Sequence, residues 1–209
     1  MPTANQLIAT NGLTKVLRWE RTPQGVWKKI PNDLELPARI ISGLAPMAGN
    51  RVAVGDEAGN LHCLALAALG TSKQWTVKGN ITRGPFRVGA EGVGCIVDGR
   101  KLWWINTVDD EEGKLYGSGD VASIIGEATT IGNDLLIAVL KRDSSLGMLA
   151  NYAWIDLATG KLLHSEKLPE GLAPSSSAIA LGKNRAFAPL SDGTVRILIK
   201  PEATTAANP

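Results

Sequence analysis

The 209-residue sequence predicts an all-β fold in which four-stranded antiparallel sheets repeat along the chain, and three observations carry that prediction. Pairs of apolar, strand-like runs joined by an Asp, Asn or Gly turn recur five times. A large ring follows each of the first four pairs at nearly constant spacing. A small-residue segment with Gly or Pro near its start precedes pairs two to five. Four short strands per roughly 45 residues, repeated, is the pattern of β-propeller blades. About four to five blades are visible.

The paired runs cover residues 7–19, 52–66, 94–105, 136–155 and 186–199. Their turn glycines are Gly12, Gly59, Gly99 and Gly193, and Asn-Gly or Asp-Gly between alternating apolar residues is the strongest short-range hairpin signal. The fourth pair replaces this tight turn with a longer loop, Lys141–Ala150, the main insertion in the array. The recurring rings are Trp27, Trp75, Tyr116 and His164. Before the last of them, Asp156-Leu-Ala-Thr-Gly160-Lys161 has the shape of a type I turn closed by a residue with positive φ, which Gly160 supplies without steric cost. The small-residue segments are 41–50, 82–92, 125–134 and 171–184. No window shows sustained helical spacing bounded by caps, and register makes Leu61–Gly70 strand rather than a helical turn.

The expected organisation is blade 1 at about 6–36, blade 2 at 38–79, blade 3 at 81–120, blade 4 at 121–170 and blade 5 at 171–200, followed by a polar tail, 201–209. The first repeat lacks its innermost strand and the last its outermost. This inventory points to part of a larger propeller. A compact five-bladed ring with one incomplete blade and two chains completing each other are the alternatives. Incomplete terminal blades leave sticky edges, so self-association through them is expected. A β-sandwich is the runner-up fold, but it does not explain the recurring ring.

Composition narrows the function classes. The 22 Lys and Arg nearly balance 20 Asp and Glu, for a net charge of +2, which argues against a nucleic-acid binder with its basic stripe. The apolar run Cys63–Gly70 is far too short to span a membrane, and the N-terminal residues have neither the basic nor the apolar region of an export signal. Cys63 and Cys95 lie in apolar runs without metal-ligand spacing and read as small buried hydrophobes.

The search for chemistry finds no catalytic constellation. The acids of Val108–Gly113 are consecutive, whereas calcium loops alternate ligands with spacers. Asp56–Asn60 reads as a hairpin turn. His62 and His164 have no His or Cys partner at metal spacing. Ser175–Ser177 is not a nucleophile elbow, and phosphate-binding glycine motifs are missing. No catalytic, cofactor-binding or metal-binding residue is therefore assigned, and no cofactor is expected. Trp103 and Trp104 are adjacent on one strand and face opposite sides of it; at an unpaired end one of them would be exposed and anchor a partner. Arg142 and Asp143 in the insertion, with Arg83 and Arg100 in other loops, complete the candidate partner-binding residues.

Two stretches, VAVGDEAGNLHCLALAALGTSKQW (52–75) and WIDLATGKLLHSEKLP (154–169), resemble the repeat of quinoprotein-type, or PQQ-like, β-propellers. The similarity runs over about residues 6–200, loosely in each blade. In that family a terminal Trp packs between neighbouring blades. Trp27 and Trp75 match it, Tyr116 substitutes for it and His164 departs from it, so the resemblance implies a structural packing role for these four. The family holds quinoprotein dehydrogenases as well as a non-enzymatic lipoprotein of the outer-membrane protein assembly machine, the BamB-like branch. The dehydrogenases often stack PQQ on an adjacent cysteine pair, and Cys63 and Cys95 are not adjacent. The expected function is thus a non-catalytic PQQ-like module acting as a protein-interaction scaffold, with an unidentified protein partner. The alternative is a fragment of a quinoprotein-type oxidoreductase or other propeller enzyme whose active-site residues lie outside this chain. By resemblance alone, the parent protein is periplasmic or at the cell surface.

Overall fold

The computed structural model describes residues 5–108, 112–117, 119–143, 145 and 147–200. Asp109, Asp110 and Glu111 of the acidic run and the tail 201–209 lie outside the described residues. All regular structure among the described residues is β, in five antiparallel sheets. The chain divides into two compact units, Met1–Gly119 and Asp120–Pro209.

The first unit holds three sheets. The first comprises β1 (Gln6–Thr10), β2 (Lys15–Arg21), β3 (Trp27–Lys29) and β4 (Leu34–Glu35). Both β3 and β4 pair with β2, so they form two pieces of one interrupted strand. The second runs β5 (Ala45–Met47), β6 (Arg51–Gly55), β7 (Asn60–Ala65), β8 (Gly70–Thr76), in that order across the sheet. The third follows the same order with β9 (Ile81–Val88), β10 (Gly92–Val97), β11 (Lys101–Asn106) and β12 (Lys114–Tyr116). At the β10–β11 turn Asp98 and Gly99 have φ of 52° and 70°, the pair of positive angles of a type I′ turn, whose twist matches that of the flanking strands. Side chains at neighbouring turns finish the job: Asn11 Oδ1 accepts from the amides of Leu13 and Lys15, both at 2.9 Å.

Alternation along each strand decides what lies between the sheets. Val16 packs with Val52, Val54, Leu64 and Leu66 between the first two sheets. Leu61 and Cys63 pack with Val93, Cys95, Trp103 and Ile105 between the second and third. The second sheet is therefore covered on both faces, which is why β6 and β7 are nearly continuous apolar runs. Arg18 adds a polar tie, donating to the carbonyls of Leu66 and of Ala67, the latter at 2.9 Å.

The second unit holds β13 (Val121–Ile131), β14 (Asp134–Asp143), β15 (Gly147–Asp156) and β16 (Leu162–Lys167) in one sheet, and β17 (Ile179–Ala180), β18 (Arg185–Pro189) and β19 (Val195–Ile199) in the other. Leu136, Tyr152 and Trp154 pack against Ala186, Ala188 and Leu198 between them. β13 pairs with β14 through a bulge between Ile125 and Thr129, where Gly126 takes φ 73° and Ser177 Oγ accepts from the Glu127 amide at 2.7 Å. Gly160 has the positive φ, 76°, that its turn calls for.

One expectation is corrected here. Lys141–Ala150 is not a loop: β14 and β15 stay paired as far as Asp143 and Gly147, so the insertion is a lengthened hairpin. Its polar residues mislead a reading based on apolar alternation, because an exposed two-stranded arm has no core to face. No helix among the described residues is long and apolar enough to cross a membrane.

Candidate functional site

The four recurring rings do not share one environment. Trp75 is half-buried against the core of the second and third sheets, and Tyr116 is buried. His164, opposite Trp154 on β16, is exposed. Trp27 is 44% exposed and stands on the wrong face for a wedge. It lies opposite Arg21, whereas Val16 and Arg18, one residue out of phase, face the second sheet. A single-residue shift moves a side chain to the other face of its sheet.

Trp103 and Trp104 are 7% and 1% exposed, so neither is the exposed anchor expected of an unpaired end. Arg83, Arg100 and Arg142 are exposed. Arg83 is on β9 opposite Ile96, Arg100 follows the β10–β11 turn, and Arg142 is on β14. Asp143 closes its own turn, accepting from the Ser145 amide and hydroxyl at 2.9 and 2.7 Å.

What the first unit does build is a groove between the outer strands of its second and third sheets, with a volume of about 500 Å³. β8 and β12 form its walls, Trp75 and Trp103 its floor, and Lys78 and Glu112 line it as well. Leu115, directly across the ladder from Trp103, stands on the wall and is 53% exposed. Both strands end their sheets, so each turns one unpaired backbone edge outward. Trp103 is held by its neighbour Gly113, where any Cβ would run into the indole ring. Gly113→Ala is therefore expected to displace Trp103 and cost about 1–3 kcal/mol, as overpacking does. A lower urea midpoint together with a shifted tryptophan emission checks this, and unchanged emission counts against it.

A buried polar pair lies at the β6–β7 hairpin, with His62 out of phase with Leu61 and Cys63 on β7. His62 Nε2 is 2.8 Å from Asp56 Oδ2, and both side chains are sealed from solvent. Asp56 also accepts from the Asn60 amide at 2.8 Å and the Asn60 side chain at 3.1 Å. Burial pushes the Asp56 carboxyl up, but the bond from His62 and those from Asn60 outweigh it and hold the group below its ordinary value. This pair escapes strand alternation, which places His62 on a face without saying what meets it. The signal was Asp, Asn and His at 56, 60 and 62, arrayed across one hairpin turn.

The two cysteines are also interior. Cys63 and Cys95 are free and buried in one core cluster, and burial pushes the Cys95 thiol up to about 12. Among the described residues no group of His, Cys, Asp and Glu side chains comes together to hold a metal ion.

No family model matches this chain, and no curated protein does. Solved structures do. BamB from Moraxella catarrhalis aligns with a TM-score of 0.54 at 12% identity, covering 95% of this chain and 71% of that one. The β-propeller domain of Cps50 (Swd1) from Myceliophteria thermophila aligns with a TM-score of 0.62, also at 12% identity, covering 98% of this chain and 65% of that one. At this identity the likeness speaks for the fold alone. The fold is an all-β propeller, and its antiparallel sheets are blades.

Proposed function

We propose that the chain is a non-catalytic propeller module of the quinoprotein-like class that serves as a protein-interaction scaffold, with the Trp75–Trp103 groove as its docking place. The observation that carries this reading is the groove itself: two indole rings at its floor, an exposed leucine on its wall and open strand edges on both sides. The occupant that fits is an extended peptide segment of a partner protein. Its backbone adds to the β8 edge, an apolar side chain sits over the rings, and an acidic residue meets Lys78. The Asp56–His62 pair supports a scaffold over an enzyme, since it is sealed away from any substrate.

An array of extended peptides tests the assignment, each with one central Trp or Leu and either acidic or basic flanks. The chain is expected to prefer apolar centres with acidic flanks. Leu115→Lys should weaken that binding at least tenfold, and Lys78→Glu should invert the flank preference. Equal capture of all peptides, or Leu115→Lys binding like wild type, overturns the docking site.

A second reading, self-association through the terminal blades, is favoured by their bare apolar faces: on β19, Val195, Ile197 and Ile199 are 59%, 54% and 57% exposed.

A further inference from the structure

The Trp75–Trp103 groove lies wholly within the first unit, between two sheets that the unit itself supplies, and its two ends differ in charge. Two contacts fix the direction of its walls. Lys73 on β8 donates through Nζ to the carbonyl of Thr107, just past the end of β11, at 2.7 Å. The segment that follows β8 returns instead to the β10–β11 turn, where the Asp98 amide donates to the Asn80 carbonyl at 2.8 Å and the Asn80 amide to Asp98 Oδ1 at 3.0 Å. β8 therefore runs from the level of the β11 end to the level of the β11 start. β12 runs the same way, because it is antiparallel to β11, with Lys114 opposite Trp104 and Tyr116 opposite Leu102.

Each wall places one exposed charge on the groove. Lys78, just past the end of β8, stands at the end nearer the β10–β11 turn, and Glu112, just before β12, stands at the other. The neighbouring cations do not blur this difference. The Lys73 ammonium is turned onto the Thr107 carbonyl, and Lys101 lies 3.7 Å from Asp98. Lys114 is one residue out of phase with Leu115, so it belongs to the other face of its sheet.

Resting on the docking reading given above, we infer that the groove is directional: it takes an extended segment of a partner protein whose side chains run acidic, apolar, basic from N- to C-terminus. The direction comes from the backbone. β8 pairs only with β7, so its other edge is open, and a strand added there pairs more stably antiparallel than parallel. Antiparallel to β8, the segment starts at the Lys78 end and finishes at the Glu112 end. Side chains two residues apart share a face, so an acid two residues before the apolar centre and a base two residues after it enter the groove together. Lys78 continues the strand with which the segment pairs, whereas Glu112 stands on the opposite wall. The acidic position is thus the stronger of the two, and a segment with acids on both sides still outbinds one with bases on both.

Fluorescence anisotropy of the 209-residue chain tests this with two dye-labelled peptides of identical composition. One carries Glu before and Lys after a central Trp, and the other has Glu and Lys exchanged. Exposed ion pairs are each worth a few-fold in affinity, so the first peptide is expected to bind about tenfold tighter at low salt. The difference should vanish at about 1 M salt, where exposed charges are screened. The double variant Lys78→Glu/Glu112→Lys changes two exposed side chains and should prefer the exchanged peptide. Equal binding of the two peptides by wild type, a wild-type preference for the exchanged peptide, or an unchanged preference in the double variant overturns the directional groove. Leu115→Lys keeps the two readings apart. If it weakens both peptides while wild type binds them equally, docking stands and direction falls. If neither peptide binds wild type, or Leu115→Lys binds as wild type does, the docking site itself falls and direction with it.

Discussion

Trp103→Ala is expected to destabilise the chain by about 3–5 kcal/mol, the range for removing a buried indole from a packed interior. Trp103 is 7% exposed and joins Leu61, Cys63, Cys95 and Ile105 in the core between the second and third sheets. The ring packs between the second and third sheets, whose ladders are fixed by backbone hydrogen bonds and restrict how far the site can close up. In a chain of this length each kcal/mol lowers the melting temperature by roughly 2–4 °C, so the loss should be about 6–20 °C. The control is Trp27→Ala. At 44% exposure and on a bare face, that substitution should cost about 1 kcal/mol or less. The ratio of the two is what a calorimeter or a urea titration reads. Equal losses would restore Trp27 to a wedge role between blades and contradict the register that turns it outward.

That contrast shows where the sequence could be read and where it could not. The hairpin turns were legible because their cause is local: Asp98-Gly99 needs no distant residue to adopt positive φ at both positions. The blade architecture was legible because four strands recur with the same turn chemistry, and repetition multiplies a weak signal. Trp27 shows the limit of spacing. It falls at the right interval after its hairpin, but an interval of 48 residues to Trp75 says nothing about the one-residue phase that selects a face. The hairpin around Asp143 shows the limit of apolar patterning, since β14 and β15 stay paired through Lys141, Arg142 and Asp143 with no buried side to mark them. The groove was illegible for a different reason. Trp75 and Trp103 are 28 residues apart on separate sheets, and only the stacking of those sheets brings the rings to one floor.

The Asp56–His62 pair should make the first unit sensitive to acid. The Asp56 carboxyl is held below its ordinary value of 3.8, mainly by the His62 and Asn60 hydrogen bonds working against burial. The folded chain therefore binds the proton less readily than the unfolded chain. The resulting stability is fully present above the unfolded value and is lost as the pH falls through the folded one. Asp56→Ala leaves His62 Nε2 without an acceptor in a sealed interior and removes the cap on the Asn60 amide. A loss of about 3 kcal/mol at neutral pH is expected, as for stripping one partner from a buried pair. Asp56→Asn should cost less, because its amide oxygen can still accept from Asn60 while its NH₂ donates to the deprotonated Nε2 of the other His62 tautomer. Urea titrations of the three proteins between pH 7 and pH 3 read the outcome. The gap between wild type and Asp56→Ala should be widest at neutral pH and should narrow towards pH 3. A gap that stays constant to pH 3 would mean that the carboxylate charge contributes nothing, and that the pair is held by packing alone.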